Sequence, residues 1–355
     1  RIRSSGQASP TSLHGLAASG AMAGEGARRL WDLSSSFCNL FAVWIGLASA
    51  VALRRPDAFA WLGPATTTRL LVVLSFSVGM TTKPAEFVVS FSKPRPVAIN
   101  AAACFLLVPA AAVALSWFAG LPQELLVGMV LLGSVNGGST SNLCALIAGA
   151  DVPLSVLMTS STTLMAVLAT PLIPKFVLGA IVPIDAGGIL VSALQVVLLP
   201  VCLGVLSNSV APRLCRLLAP LVPVAGVASG AAIIGAIVGR SAGPILDAGL
   251  PLHLTVAGLH LIAGIAGYSL AAASGGDGRE CRTVAFEVAM KNCAFASVLA
   301  AEHFEAPAIR APAAASCIWC PLLASALAVF WKLNPVRSKD KVLDDDGSWS
   351  VQYGA

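Results

Sequence analysis

The feature that most constrains the fold is an apolar run, residues 125–147, interrupted in its middle by glycine and polar residues. The interruption reads Gly133-Ser-Val-Asn-Gly-Gly-Ser-Thr-Ser-Asn142. In hydrocarbon, backbone N–H and C=O groups must pair within the protein, so only helices and closed barrels span a membrane. The Gly-Gly pair predicts that a helix ends here, and residues 139–142 are types that favour the start of a second helix.

A break at this depth is typical of a transport site. Irregular backbone inside a membrane persists only where it is buried in protein or lines a watered cavity. Transporters use such half-helix ends and free carbonyls to bind substrates and ions. The alternative is a kinked helix in a structural bundle.

The composition predicts an all-α polytopic membrane protein. Hydrophobic residues make up 57% of the chain and charged residues 11%, against about 25% charged residues in soluble domains. The net charge of +5 is therefore interpreted as membrane topology rather than as affinity for nucleic acid. The lipid bilayer is the expected partner, and the oligomeric state is open. Ten apolar segments have about the ~20 residues a span needs: 37–53, 67–80, 97–118, 125–149, 152–178, 189–207, 217–238, 250–273, 281–301 and 311–331.

Ten spans divide into two halves of five, about 37–178 and 189–331. Because five is odd, the second half enters the membrane from the opposite side. If the halves are related, they are therefore inverted repeats. With both termini on one side, that side holds fifteen Lys and Arg and the other holds six, which places the termini in the cytosol or stroma. The predicted divisions are a disordered or targeting segment at 1–35, a transporter domain at 36–331 and a polar disordered tail at 332–355. A surface amphipathic helix is expected near 82–95.

The ninth apolar segment carries an acid and a base, Glu287 and Lys291. Each intramembrane charge costs about 2.5–3.5 kcal/mol on insertion scales, so it is expected to be paired or functional. On a continuous helix, residues four apart would form an ion pair. The functional alternative is that Glu287 is a cation ligand or a proton carrier.

Hard oxygen ligands for a cation are available near the broken segment. Ser155 and Thr159 are four residues apart and so share one face of the fifth segment. Together with Ser141, Asn142 and Glu287 they predict a five-oxygen cage, the ligand type that Na⁺ requires.

Five motifs resemble the bile acid:sodium symporter family, which includes plant plastid carriers and bacterial homologues. They are Phe76-Ser-Val-Gly-Met80, Ser92-Lys-Pro-Arg-Pro96, Gly137-Gly-Ser-Thr-Ser-Asn142, Ser155-Val-Leu-Met-Thr159 and Glu287-Val-Ala-Met-Lys-Asn292, within residues 35–331. The resemblance implies ten helices in a core and a panel domain, with the fourth and ninth broken and crossing. It implies that the protein is a carrier and not an enzyme. The carrier would move an organic anion (a bile acid, pyruvate or another monocarboxylate) together with Na⁺ by alternating access. The membrane is left open between plastid envelope and plasma membrane.

The resemblance also implies which residues form the sites. The sodium site would comprise Ser141, Asn142, Ser155, Thr159 and Glu287. The substrate would lie near Asn136, Gly138, Ser139 and Asn292.

The sequence departs from the family where a second sodium ion usually lies. Lys291 and Cys104 stand where the family has glutamines, leaving Glu287 and backbone carbonyls such as those of Val288 and Met290. One sodium site is therefore expected. The ammonium of Lys291 either replaces the second sodium or binds the substrate carboxylate.

Other interpretations stay open. One is that the carrier is coupled to protons or is uncoupled. Another is that the protein is an intramembrane hydrolase with Ser139 as nucleophile and His260 as base. His253 and His260 form a proton relay or pack between helices. The nine cysteines show no metal-ligand spacing, and Cys317-Ile-Trp-Cys320 is interpreted as helix packing. A metalloid exporter would need a reactive thiol, such as Cys144 or Cys293 beside the two breaks.

Overall fold

The structure is a computed structural model that describes residues 37–38, 40–82, 93–218, 221–336, 339–343 and 349–353. These residues form thirteen α-helices and a two-stranded antiparallel hairpin. The helices are α1 Phe41–Arg54, α2 Pro64–Thr81, α3 Pro94–Phe118, α4 Gln123–Ser134, α5 Ser141–Ile147, α6 Val152–Leu178, α7 Ala186–Val210, α8 Pro212–Leu218, α9 Val222–Arg240, α10 Ala242–Ala273, α11 Gly278–Ala289, α12 Cys293–His303 and α13 Ala311–Leu333. The strands are β1 Lys339–Leu343 and β2 Trp349–Tyr353.

The long helices confirm a multi-pass membrane protein. Six of the described helices have the length and composition to cross a membrane: α3, α6, α7, α9, α10 and α13 with its preceding turn. The helices α1 and α4 are shorter but apolar. Each of the ten predicted segments coincides with one helix or with a pair, and α6 has the predicted bounds.

The helix α10 is interrupted at Gly249, where φ is 60° and ψ is −156°. A glycine tolerates this conformation because it has no Cβ. The second part of α10 begins at residue 250, as predicted, and residues 242–248 form an additional helical part before it. Most of the predicted amphipathic helix, 83–92, and nearly all of the N-terminal segment lie outside the described residues. The hairpin falls inside the tail predicted to be disordered, and the domain division stays a prediction.

The two breaks separate α4 from α5 and α11 from α12. The helix α4 stops because Val135 is extended, with φ −79° and ψ 164°, and α11 stops because Met290 is extended, with φ −90° and ψ 111°. The Asn292 side chain restarts α12 by accepting a hydrogen bond from Phe295 N, 3.2 Å away. The polar residues before α5 make no equivalent bond, since its N-cap Thr140 has no side-chain cap.

The two breaks cross and pair through their backbones. The Gly138 N–H donates to Met290 O and the Asn292 N–H donates to Asn136 O, both at 2.9 Å. An isolated antiparallel bridge joins Gly137 to Lys291 between them. Backbone N–H and C=O groups that would pair within a continuous helix are thus hydrogen-bonded to the other break instead. The crossing also favours glycine, because a Cβ on Gly138 would make a tight contact of 3.1 Å with Lys291 O.

The remaining helices pack in two groups. The helices α3, α4, α6, α10, α11 and α13 surround the crossing, whereas α1 packs on α9 and α2 packs on α7. Glycines bring α2 and α7 together, since a Cβ on Gly79 would lie 2.1 Å from Val201 O. Small residues at such contacts let membrane helices approach closely.

Candidate functional site

The carboxylate of Glu287 is the centre of a buried oxygen cluster beside the crossing. Its Oε1 accepts hydrogen bonds from Ser141 Oγ and Ser155 Oγ, and its Oε2 accepts one from Thr159 Oγ1 at 2.8 Å. Ser155 Oγ also lies 2.8 Å from Asn142 Oδ1. The structure therefore brings together all five residues predicted to bind sodium.

This cluster has more acceptors than protons. Each of the three hydroxyls has one proton, which is directed at the carboxylate or at an Asn142 or Ser155 oxygen. Hydroxyl oxygens have two lone pairs, and an ionised carboxylate only accepts. Such a proton-poor group of oxygens has the chemistry of a cation site.

Local sequence sets the position of each ligand. The Asp151 carboxylate caps α6 by accepting from Leu154 N at 3.0 Å, and this fixes where the helix begins. Ser155 and Thr159 then lie one above the other on the same face. The Asp151 N–H also donates to Thr283 Oγ1 at 2.9 Å, which ties the start of α6 to α11 one turn before Glu287.

Lys291 is buried in the second break without a carboxylate partner among the described residues. Its side chain is 3% exposed, its Nζ donates to Cys104 O at 3.3 Å, and it lies 5.8 Å from the centre of the Phe105 ring. The alternative of an ion pair with Glu287, which required a continuous helix, is not seen among the described residues. The helix α11 ends at Ala289, and Lys291 belongs to the bridge instead.

The two positions that depart from the family pattern are in contact. In addition to the bond from Lys291 Nζ to Cys104 O, Cys104 Sγ lies 3.6 Å from Glu287 O. The Cys104 thiol is therefore next to the Glu287 carbonyl, and the Lys291 ammonium is bound to the backbone carbonyl of the same cysteine.

The residues predicted to bind substrate all belong to the two breaks. Asn136 is buried, its Nδ2 donates to Thr163 Oγ1 at 3.0 Å, and its Oδ1 has no partner within the described protein. Gly138 and Lys291 are buried in the crossing, whereas Ser139 and Asn292 are partly exposed. A cavity of about 300 Å³ between α6 and α7 includes Thr163, the hydrogen-bond partner of Asn136, in its lining.

Comparison with known proteins gives the family. The model of the sodium bile acid symporter family matches residues 68–248, which is 181 of the 355 residues. The chain belongs to this family.

Relatives extend the similarity to most of the chain. The chain is 34% identical over 299 residues to the rice (Oryza sativa subsp. japonica) protein named "Probable sodium/metabolite cotransporter BASS1, chloroplastic", covering 84% of this chain and 74% of the relative. The Arabidopsis thaliana protein of the same name is 33% identical over 305 residues, 86% of this chain and 75% of the relative. The Bacillus subtilis (strain 168) "Uncharacterized sodium-dependent transporter YocS" is 30% identical over 296 residues, 82% of this chain and 90% of the relative.

Membership of the symporter family indicates a transporter rather than an enzyme, and the geometry of His260 agrees with that. Its Nδ1 pairs with Ala289 O at 2.6 Å and its Nε2 with Ser316 Oγ at 2.7 Å, so neither nitrogen is bonded to Ser139. The hydrolase pairing is therefore absent. His253 accepts a hydrogen bond from Trp319 Nε1 at 3.0 Å, which is a packing contact between α10 and α13.

Three residues of the site were missed in the sequence: Thr163, Thr283 and Phe105. Thr163 continues the spacing of four set by Ser155 and Thr159, and Thr283 is four residues before Glu287, so helical spacing was the available signal. No sequence signal places Phe105 beside Lys291, because they are on different helices.

Proposed function

We propose that this family member is a sodium-coupled symporter that moves a small organic anion by alternating access. The observation that supports it best is the convergence of Ser141, Asn142, Ser155 and Thr159 on the buried Glu287 carboxylate. Relatives named as sodium/metabolite cotransporters support the choice of ion.

The cluster suits one sodium ion on grounds of charge and ligand type. A buried charge is costly unless it is paired, and one Na⁺ neutralises one carboxylate. The remaining ligands are neutral hard oxygens, which alkali and other hard cations prefer to thiols or imidazoles. We therefore propose a single sodium bound by Ser141, Asn142, Ser155, Thr159 and Glu287.

For Lys291 we propose the role of a permanent cation in place of a second sodium. Its ammonium lies by Cys104 and Phe105, and the Cys104 thiol in turn contacts the Glu287 carbonyl. The competing proposal is that it binds the substrate carboxylate. Replacement of Lys291 by glutamine distinguishes the two.

The substrate is proposed to bind at the crossing, near Asn136, Gly138, Ser139 and Asn292. The N-terminus of α12 begins there, and the positive end of a helix dipole stabilises an anion. The free Oδ1 of Asn136 provides an acceptor for a substrate hydroxyl. A monocarboxylate with a further polar group matches this set.

The proposed architecture is ten spans in two inverted five-span repeats. The helices α1, α2, α7 and α9 would form the panel, and the helices around the crossing would form the core. Alternating access would then be a movement of one group against the other around the fixed site.

Cysteine labelling tests the orientation of the ten spans. The exposed residues Ser209 and Gly243 lie on opposite sides in this arrangement, with Ser209 on the side of both termini. In a Cys202→Ser background, which removes the exposed native cysteine, an impermeant maleimide should label Ser209→Cys and Gly243→Cys from opposite sides. The excess of basic residues on the side of the termini is the physical reason. Labelling of both from one side contradicts the arrangement.

Counterflow in proteoliposomes tests the function. Vesicles loaded with bile acids, pyruvate, pantoate or other monocarboxylates are assayed with Na⁺, with K⁺, and with K⁺ plus a pH gradient. We expect exchange of at least one monocarboxylate that requires Na⁺. Exchange driven by the pH gradient alone would instead identify a proton-coupled carrier, and exchange under all conditions an uncoupled one.

A further inference from the structure

A second cluster of ligand atoms lies on the other side of the ninth-segment break. It consists of His260 on α10, Cys293 at the start of α12 and Cys320 on α13. A ring nitrogen and the two Sγ atoms lie within 4.8 Å of one another, and all three residues are buried. The spacing of cysteines along the sequence did not reveal this group, because its members come from three separate helices.

The His260 ring is oriented as in a metal site. Ala289 O can only accept, so the 2.6 Å contact places the ring proton on Nδ1 and makes Nε2 the acceptor nitrogen. Metal-binding histidines usually donate their other N–H to a carbonyl or carboxylate in this way. Ser316 Oγ lies 2.7 Å from Nε2 and 2.9 Å from Cys293 Sγ, so its hydroxyl now bridges two of the three ligand atoms.

The ligand types distinguish this cluster from the Glu287 cage. Thiolates and imidazole bind zinc and other thiophilic cations, whereas Na⁺ is left to hard oxygens. Two thiolates and a neutral imidazole also neutralise a divalent cation, which lowers the cost of burying it. We propose that His260, Cys293 and Cys320 form a binding site for a thiophilic divalent cation of the Zn²⁺ class.

The distances fit this assignment after a small closure. Zinc binds sulfur at about 2.3 Å and nitrogen at about 2.0–2.1 Å, so tetrahedral donors lie roughly 3.5 Å apart. The three donor atoms lie within 4.8 Å of one another, so no two of them need to approach by more than about 1.3 Å. The Ser316 hydroxyl, displaced from between them, is positioned to serve as a fourth ligand or to hold a bound water.

Metal at this site would join three helices. Cys293 begins the second half of the broken helix, and the other ligands belong to α10 and α13. We expect bound metal to raise the melting temperature of the protein, because it binds the folded state and not the unfolded one.

Titration of the purified, reduced and metal-free chain with Cd²⁺ tests the site. Cd²⁺ bound to thiolates gives an ultraviolet charge-transfer band, and equilibrium dialysis gives the stoichiometry. We expect one Cd²⁺ per chain, displaced by Zn²⁺ but not by Na⁺ or Mg²⁺. Cys293→Ser, Cys320→Ser and His260→Asn should each weaken binding at least about 100-fold, whereas Cys202→Ser and Cys281→Ser should leave it unchanged.

A second measurement needs no substitution. Bound Zn²⁺ should protect Cys293 and Cys320 from alkylation, and mass spectrometry of the wild-type chain identifies which thiols are protected. Folded, reduced wild-type protein that takes up no Cd²⁺ overturns the proposal. So does stoichiometric uptake that protects other cysteines instead of these two.

Discussion

Glu287→Gln is expected to abolish sodium-dependent uptake while leaving the protein folded. Glutamine keeps the shape, but it removes the negative charge and turns an amide N–H₂ toward hydroxyls that donate to the carboxylate. Hydrogen bonds to charged groups contribute about 1.5–3 kcal/mol each. Loss of the attraction between the carboxylate and the ion, if equal to two such bonds, corresponds to a fall of at least about 100-fold in Na⁺ affinity. Uptake against NaCl concentration in proteoliposomes measures it.

A thermal assay makes the same test without knowledge of the substrate. An ion that binds only the folded state stabilises it by about 2.7 kcal/mol at 100 times its dissociation constant. The melting temperature of the wild type should therefore rise in NaCl relative to choline chloride, and that of Glu287→Gln should not. Equal shifts in the two proteins would show that Glu287 is not a sodium ligand.

The matched pair Thr159→Val and Thr162→Val separates ligand loss from general damage to α6. Thr159 bonds to the Glu287 carboxylate, whereas the buried Thr162 bonds only to backbone carbonyls of its own helix. We expect Thr159→Val to weaken Na⁺ affinity about tenfold, as one lost oxygen ligand implies, and Thr162→Val to change it less than twofold. Similar losses in both would point to helix packing instead.

The parts of the fold that the sequence predicted are those governed by local rules. The helix α6 has the predicted bounds because Asp151 caps its first turn and a long, mostly apolar run follows. The break before α5 follows from Gly137 and Gly138, whose missing side chains also allow the second break to approach. Spacing of four along one helix likewise placed Ser155 and Thr159 on a common face.

The parts that escaped prediction depend on contacts between distant segments. The spacing of Glu287 and Lys291 left an ion pair open as an alternative that holds on a continuous helix. Residues 136–138 instead form the backbone hydrogen bonds at residues 290–292, and α11 ends between the two charges. The convergence of His260, Cys293 and Cys320 requires three helices to be packed first. Neither the composition nor a local pattern contains that information.

Lys291→Gln is expected to make transport more dependent on sodium. If the ammonium takes the place of a second sodium ion, its removal leaves the space beside the Cys104 and Glu287 carbonyls without a cation. A second Na⁺ can then bind there. Lysine is a compact point charge, comparable in this respect to a bare cation. The dependence of uptake on sodium should become steeper, and the substrate affinity lost at low sodium should recover at high sodium.

The competing proposal gives a different result for the same variant. A lysine that binds the substrate carboxylate contributes a charge-assisted hydrogen bond, so its loss should weaken substrate affinity at every sodium concentration. Lys291→Arg is the matched control, because it keeps the charge. Arginine is larger than lysine, and Lys291 is only 3% exposed, so we expect some loss of packing in this variant. Under the permanent-cation proposal its sodium dependence should keep the wild-type slope even if its maximal rate falls. If Lys291→Gln shows wild-type sodium dependence and wild-type substrate affinity, both proposals are wrong and the residue serves only the packing of α3 against the crossing.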